Sequence, residues 1–397
     1  MVYVNKVFSF VLILFFICGL FTAGVSSVFA SGLVAGSWNA KASMPQARAG
    51  LGVVAVDGKI YAIGGYTSFD DGRPVGFVGT NERYDPITDK WVILESMPTP
   101  RHNFAVVECE GLIYCIGGYV VEGSRWILYD TVEVYDPATN RWSAKASLPV
   151  TASDLVACVV KDNIFVFATS AAGVVYMYNP ITDSWTEKTR MPSTTLMYYA
   201  PVVMDDKILF TSLYLSTQVY DPAADAWREI EKESHLTLIF TRILTSDKTT
   251  GVYTRQGIYV LGRQYSAQRY VANWFYDPVN DTAISCRSLP SYREDFGIAV
   301  VDDLLYVMGG SVYSNTESKV LAINEQYVPV DYYGASEALG PHSFQSINPA
   351  GLLLLISAIV NTFLIIILTA IAGIIGIVII IVAILFKKKK TNRKVIR

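Results

Sequence analysis

IYAIGGYTSFDDGRPVGFVGTNERYDPITDKW, residues 60–91, is the phrase on which the fold turns. An apolar run ends in Gly64-Gly65. A variable stretch follows, then Tyr84-Asp85-Pro86, then Trp91. Residues 113–142 repeat it with Gly117-Gly118, Tyr135-Asp136-Pro137 and Trp142. Weaker copies carry Tyr178-Asn179-Pro180 with Trp185, and Tyr220-Asp221-Pro222 with Trp227. A fifth has Tyr276-Asp277-Pro278 but puts Ala283 where the Trp belongs. A sixth keeps LYVMGG, ending in Gly309-Gly310.

Each copy holds four short apolar pieces; in the first they are residues 51–56, 59–64, 80–84 and 90–94. Alternation, β-branched and aromatic content, and Gly or Asp-Pro breaks mark all four as strands. Asp57-Gly58 suits a two-residue hairpin turn whose central positions need positive φ. Four strands repeated at a period near 50 residues predict a propeller, in which blades stack because none can bury both faces alone. The second strands, IYAIGG, IYCIGG, IFVFAT, ILFTSL, IYVLGR and LYVMGG, predict six blades. The sixth has a candidate third strand near 319–323 and no Trp-bearing fourth. An orphan Trp38 followed by Met44-Pro45 precedes the first copy, so residues 37–43 are expected to close the ring and remove its exposed edge. In the fifth blade, residues 236–257 hold two candidate inner strands.

These phrases resemble kelch repeats: a double Gly after the second strand, then Tyr, then Trp, then Met-Pro or Leu-Pro after the fourth strand. Met97-Pro98, Leu148-Pro149, Met191-Pro192 and Leu289-Pro290 supply the last element. The resemblance covers about residues 36–326 and implies an all-β, six-bladed kelch-type β-propeller. The third and fourth copies depart from it, with Ala168-Thr169 and Ser212-Leu213 in place of the double Gly.

Two flanking segments differ in kind. Residues 1–30 carry one base, an apolar core and small residues near Ala30, the pattern of a secretory signal peptide. Residues 351–386 hold no charge and are followed by a basic tail, 387–397. About 20 apolar residues cross a bilayer, so one transmembrane helix is expected, best at 363–386, with the tail cytoplasmic by the positive-inside rule. The expected order is signal peptide 1–30, propeller 31–326, extracellular linker 327–350, span and tail, in a single-pass membrane protein. Residues 31–350 hold 24 bases against 35 acids, a net of −11. That acidic body argues against nucleic acid. The spacing of Cys109, Cys115, Cys158 and Cys286 fits no zinc pattern. Cys109 and Cys115 fall on opposite faces of one predicted hairpin, so free buried thiols are expected. No metal or other cofactor is expected.

Strand parity divides the connections between two faces. Turns between strands 1 and 2 and between 3 and 4 are short. The loops 66–79, 119–130 and 311–318 lie on the opposite face, where a scaffold carries function. The linker leaves from the short-turn face, which is expected to sit over the membrane. Candidate binding residues ring the channel mouth where inner strands begin: Arg48, Arg101 and Arg293, then Asn103, Asp154, Tyr198, Glu294 and Asp295. In kelch domains that bind peptides this rim makes the contacts, which the resemblance implies here. The alternative is that the three arginines clamp blades through carbonyls and carboxylates. Phe69, Phe77 and Trp126 are candidate anchors on the outer loops, or else pack those loops. With His102, His235 and His342 as its only histidines, the chain does not match the copper oxidases that have kelch-like propellers. The function expected is a non-enzymatic surface module binding a protein or glycan. The alternative is a channel enzyme similar to a sialic acid mutarotase, with Arg293, Glu294 and Asp295 as its polar set. Asn280-Asp281-Thr282 is a glycosylation sequon.

Overall fold

In a computed structural model of the chain, the described residues are 36–329, apart from 154, 169, 193–200, 212–216, 231–249, 255–256, 265–269, 278–279, 281 and 314–317. They form six antiparallel four-stranded sheets and three two-stranded ribbons. Blade 1 is Gly52–Val56, Lys59–Ile63, Asn81–Asp85 and Lys90–Leu94. Blades 2 to 5 repeat that order from Ala105–Cys109, Leu155–Val160, Val202–Met204 and Thr250–Thr254. The first strand of each blade packs against that of the next around the full circle, blade 6 to blade 1 included.

Blade 6 is Gly297–Val301, Leu304–Met308 and Asn324–Val328, with Ser37–Ala40 as its outer strand. Ser37 pairs with Val328 and Trp38 with Tyr327. The expected closure by the N-terminal segment is the one observed. The third strand, however, is not near 319–323. Ser318–Val320 pairs with Ser311–Tyr313 as a separate ribbon, and the blade strand starts at Asn324 and runs to Val328, past the expected boundary at 326. Of the two candidate inner strands of blade 5, the sheet uses Thr250–Thr254, and the other lies among residues outside the described set.

The turn chemistry explains the hairpins. Asp57 and Gly58 have φ of 47° and 70°, as a type I′ turn requires. Cores lie between blades: Ile60, Ala62 and Tyr84 of blade 1 pack with Ala299, Tyr306 and Met308 of blade 6, and Tyr61 and Ile63 pack on blade 2 through Ile113, Cys115 and Tyr135. Val106 opposes Cys115 and Cys109 opposes Leu112. All four described cysteines are buried and free.

Residues 66–79 and 119–130, read above as loops, are largely strand, and the described part of 311–318 is strand as well. Tyr66–Asp70 pairs with Arg73–Phe77, Tyr119–Glu122 with Arg125–Leu128, and Ser311–Tyr313 with Ser318–Val320. These ribbons are arms of blades 1, 2 and 6. Blade 3 instead turns back from Ala168, with the Ala171 amide bonded to the Ala168 carbonyl at 3.1 Å. Among the described residues no helix is long and apolar enough to cross a membrane; segments 1–35 and 330–397, which include both expected membrane signals, lie outside those residues.

Candidate functional site: an aromatic arc on three arms

The double glycines set the arms. Gly64 and Gly65 have φ of 63° and 99°, a pair of left-handed residues that side chains resist. A Cβ on Gly65 would sit 2.7 Å from the Ala49 carbonyl oxygen. The close approach lets Tyr66 and Ala49 exchange backbone bonds of 2.9 and 3.0 Å. His102 with Tyr119, and Glu294 with Ser311, repeat the bridge in blades 2 and 6.

Three consecutive residues before each of these inner strands divide the work. The first is the arginine, and Arg48, Arg101 and Arg293 are each fully buried. Arg48 bonds Glu82 at 2.6 Å and donates to the carbonyls of Gly64, Thr80 and Ala62. Arg101 bonds Glu133 and the carbonyls of Gly117, Thr99 and Cys115. Arg293 bonds Glu325 and Ser291 Oγ at 2.6 Å each and the Val307 carbonyl at 3.2 Å. Burial pulls the Arg48 and Arg293 pKa values down, and the paired carboxylates oppose that pull. The guanidiniums hold strand ends together and do not reach the solvent at the rim.

The second residue, Ala49, His102 or Glu294, makes the bridge to the arm. The third is left-handed in blade 1 (Gly50, φ 62°), blade 2 (Asn103, 52°) and blade 6 (Asp295, 53°). The amide of Gly50 bonds the Asp295 carbonyl, and that of Asn103 bonds the Gly50 carbonyl, each at 2.9 Å. A backbone chain thus runs from blade to blade. Asp295 Oδ2 accepts from Tyr66 Oη at 3.0 Å, Asn103 Nδ2 donates to Tyr119 Oη at 3.0 Å, and Glu294 accepts from Tyr292 Oη. The polar set of the enzyme alternative is therefore divided, with Arg293 turned into its blade and Asp295 tied to an arm. Asp154 and Tyr198 lie outside the described residues.

The arms carry a continuous run of rings. Tyr313 of blade 6 meets Phe69 of blade 1 at 6.2 Å, and Phe69 meets Tyr66 edge-on at 5.3 Å. Tyr66 meets His102 at 5.5 Å, His102 meets Tyr119 at 4.2 Å, and Tyr119 stacks on Trp126 at 4.7 Å and 11°. Phe77 stacks on His102 at 4.9 Å. Phe69 and Phe77 are half-buried within this packing, whereas Trp126 is 56% and Tyr313 49% exposed. Tyr66, His102, Tyr119 and Tyr313 were not singled out as site residues from sequence. A signal existed in the Gly-Gly-Tyr run, present at Tyr66 and again at Tyr119.

A family profile described as "Kelch motif" matches residues 47–98 and 100–149, the first two blades with their clamps and arms. Blades 1 and 2 are kelch repeats, and the chain is similar to kelch-repeat proteins. It is 35% identical over 127 residues to beta-scruin of Limulus polyphemus, across 31% of this chain and 13% of that one. It is 32% identical over 130 residues to Kelch-like protein 35 of Mus musculus, across 33% and 21%. Kelch-like protein 25 of Xenopus tropicalis is 28% identical over 204 residues, across 49% and 34%. The chain spans between 13% and 34% of the length of these relatives. Among solved structures, that of YjhT superposes with a TM-score of 0.52 at 12% identity, over 71% of this chain and 95% of that one, a likeness of fold.

Proposed function

We propose that this chain is a binding module whose arms on blades 6, 1 and 2 receive a protein partner, and that its C-terminal apolar segment holds it at a membrane with the propeller outside. The observation that carries the reading is the aromatic arc. Six rings from Tyr313 to Trp126 span three neighbouring blades, and both ends of the row are open to solvent. Rigid aromatic side chains on a fixed scaffold are the usual anchors of protein interfaces. The arms stand on the face opposite the short turns, and the last described strand ends at Val328 on the short-turn side. The membrane half of the proposal rests on residues 351–386, uncharged throughout, and on Lys387, Lys388, Lys389 and Lys390 that follow.

The test uses the full-length chain in its native membrane. A photo-crosslinking residue at Arg125 is expected to capture a saturable partner, lost on Trp126→Ala with Tyr313→Ala and kept on Ile93→Ala at the outer edge of blade 1. Capture that ignores the arc pair sinks the binding face. Accessibility of tags at the two ends to an impermeant reagent tests the topology; a labelled C-terminal tag on intact cells would overturn it. Sugar mutarotation abolished by Glu294→Gln or Asp295→Asn would replace the binding reading with the enzymatic one.

A further inference from the structure

Arm 1 stands between the other two arms. Cross-strand pairs place Tyr66, Phe77, Ser68, Val75, Asp70 and Arg73 on one ribbon face. That face is turned to blade 2, since Tyr66 and Phe77 both meet His102. On arm 2, Tyr119, Val121, Trp126 and Leu128 share one face, by the pairs Tyr119 with Leu128 and Val121 with Trp126. Between the two ribbons lies a cavity of about 280 Å³. Pro74, Val75 and Val121 give it aliphatic walls, and Asp70, Asp71, Arg73 and Gly123 stand around it.

One cation, Arg73, stands there against two anions, Asp70 and Asp71, which leaves the cleft a net charge of −1. Arg73 sends Nη1 across the gap, to the Gly123 carbonyl at 2.7 Å and Ser124 Oγ at 3.2 Å. Its guanidinium braces the arms and pairs with neither nearby carboxylate. Among the described residues Asp70 and Asp71 are in no ion pair. The cleft therefore combines apolar walls wide enough for a side-chain stem, two unpaired carboxylates beside them, and an exposed indole on the same ribbon face as Val121. A long basic side chain has the matching chemistry, an apolar stem that packs and a charged head that stays wet. The net −11 of residues 31–350 favours approach of a basic partner over an acidic one.

We propose that the cleft between arms 1 and 2 receives a lysine or arginine of the partner, its stem along Pro74, Val75 and Val121 and its charge at Asp70 and Asp71, with a neighbouring residue of the partner against Trp126. This rests on the binding face proposed above and adds the chemistry of what it binds. It does not extend to Tyr313, at the far end of the arc.

The experiment selects a phage-displayed random peptide library on the full-length chain, solubilised intact, and counter-selects on Trp126→Ala. Enriched peptides are expected to carry Lys or Arg beside an aromatic or apolar residue. They should bind Asp70→Asn with Asp71→Asn roughly five- to tenfold more weakly, and weaken further as salt is raised. Both acids are exposed, so that double variant should fold, with an unchanged melting temperature as the check. Peptides that depend on Trp126 but lack basic residues, or bind the double variant equally well, overturn the cleft assignment and leave the binding face standing. A library that yields nothing dependent on Trp126 overturns both.

Discussion

Trp38 Nε1 donates to the carbonyl of Arg287 at 2.8 Å, joining residues 249 positions apart. This bond ties the closing strand of blade 6 to the end of blade 5. The same contact recurs at three other joints: Trp142 to the Glu95 carbonyl, Trp185 to Ala146 and Trp227 to Thr189, at 2.8 to 2.9 Å. Trp91 does it to Ala42, where blade 1 meets the closing segment of blade 6. Trp38 also packs on Tyr327 at 5.1 Å. Trp38→Ala should therefore destabilise the propeller by about 2–4 kcal/mol, chiefly through the lost packing of the indole on Tyr327. Trp126→Ala, on an arm, should cost under about 0.5 kcal/mol. Denaturant midpoints of the two variants check the contrast, and equal shifts would remove Trp38 from the closure.

The arginine clamps lead to a second expectation. Removing one member of a buried ion pair leaves the other charge without compensation, at about 3–5 kcal/mol. Arg48→Ala strands Glu82, 1% exposed, and frees the carbonyls of Gly64, Thr80 and Ala62 as well. Adding Glu82→Gln should restore part of the loss, because the carboxylate is gone, but not all, because the carbonyls stay unbonded. Equilibrium unfolding of the two singles and the double measures this coupling. Strict additivity would show that Arg48 and Glu82 act separately.

The pattern of what sequence foretold follows from where each signal lives. Hairpin turns and blade strands are written locally, in Asp57-Gly58 and in alternation, and Trp38 announced the closing strand because its four counterparts were already aligned. The third strand of blade 6 was misplaced because Asn324-Glu325-Gln326 looks too polar for a buried strand. Glu325 is buried at 8% because Arg293, 32 residues earlier, reaches it at 2.6 Å. The likeness of NEQY at 324–327 to NERY at 81–84 is the signal that would have found it. The arms escaped notice because their faces pack on neighbouring arms, so no apolar stripe toward a core marks them. The burial of the rim arginines was open in the sequence for a related reason: a guanidinium beside a strand start serves ligand or blade equally well until its carboxylate is placed.

Thiol chemistry offers a direct check on the blade interiors. Burial pushes the Cys115 thiol up to about 12, and the Cys109 and Cys286 thiols up to about 11. Burial raises Cys158 as well. Thiolates, not thiols, attack disulfide reagents. These four cysteines should stay unmodified by such a reagent at neutral pH and react together once denaturant opens the blades. Mass spectrometry of labelled peptides reads it. Rapid labelling of Cys115 in the native state would mean that blades 1 and 2 part far more readily than their packing allows.

Acid should loosen the ring at its short-turn joints first. Asp89 Oδ1 accepts from Tyr84 Oη at 2.7 Å and from the Ala42 amide at 2.9 Å, and these bonds hold its pKa below the usual value. Asp183 is lowered likewise, by Tyr178 Oη and then the Ala146 amide. A carboxyl depressed in the folded state contributes stability above its unfolded pKa, about 4, and loses it as pH falls through the folded value. Stability should therefore be flat in these groups above roughly pH 5 and fall below roughly pH 4. Blade 2 supplies the control. Asn140 Oδ1 makes the same two bonds, to Tyr135 Oη at 2.7 Å and the Glu95 amide at 2.9 Å, with no charge to titrate. Asp89→Asn should then keep near-normal stability at neutral pH and shallow the acid slope, in unfolding curves recorded across that range. A slope unchanged by Asp89→Asn would place the acid sensitivity elsewhere in the blades.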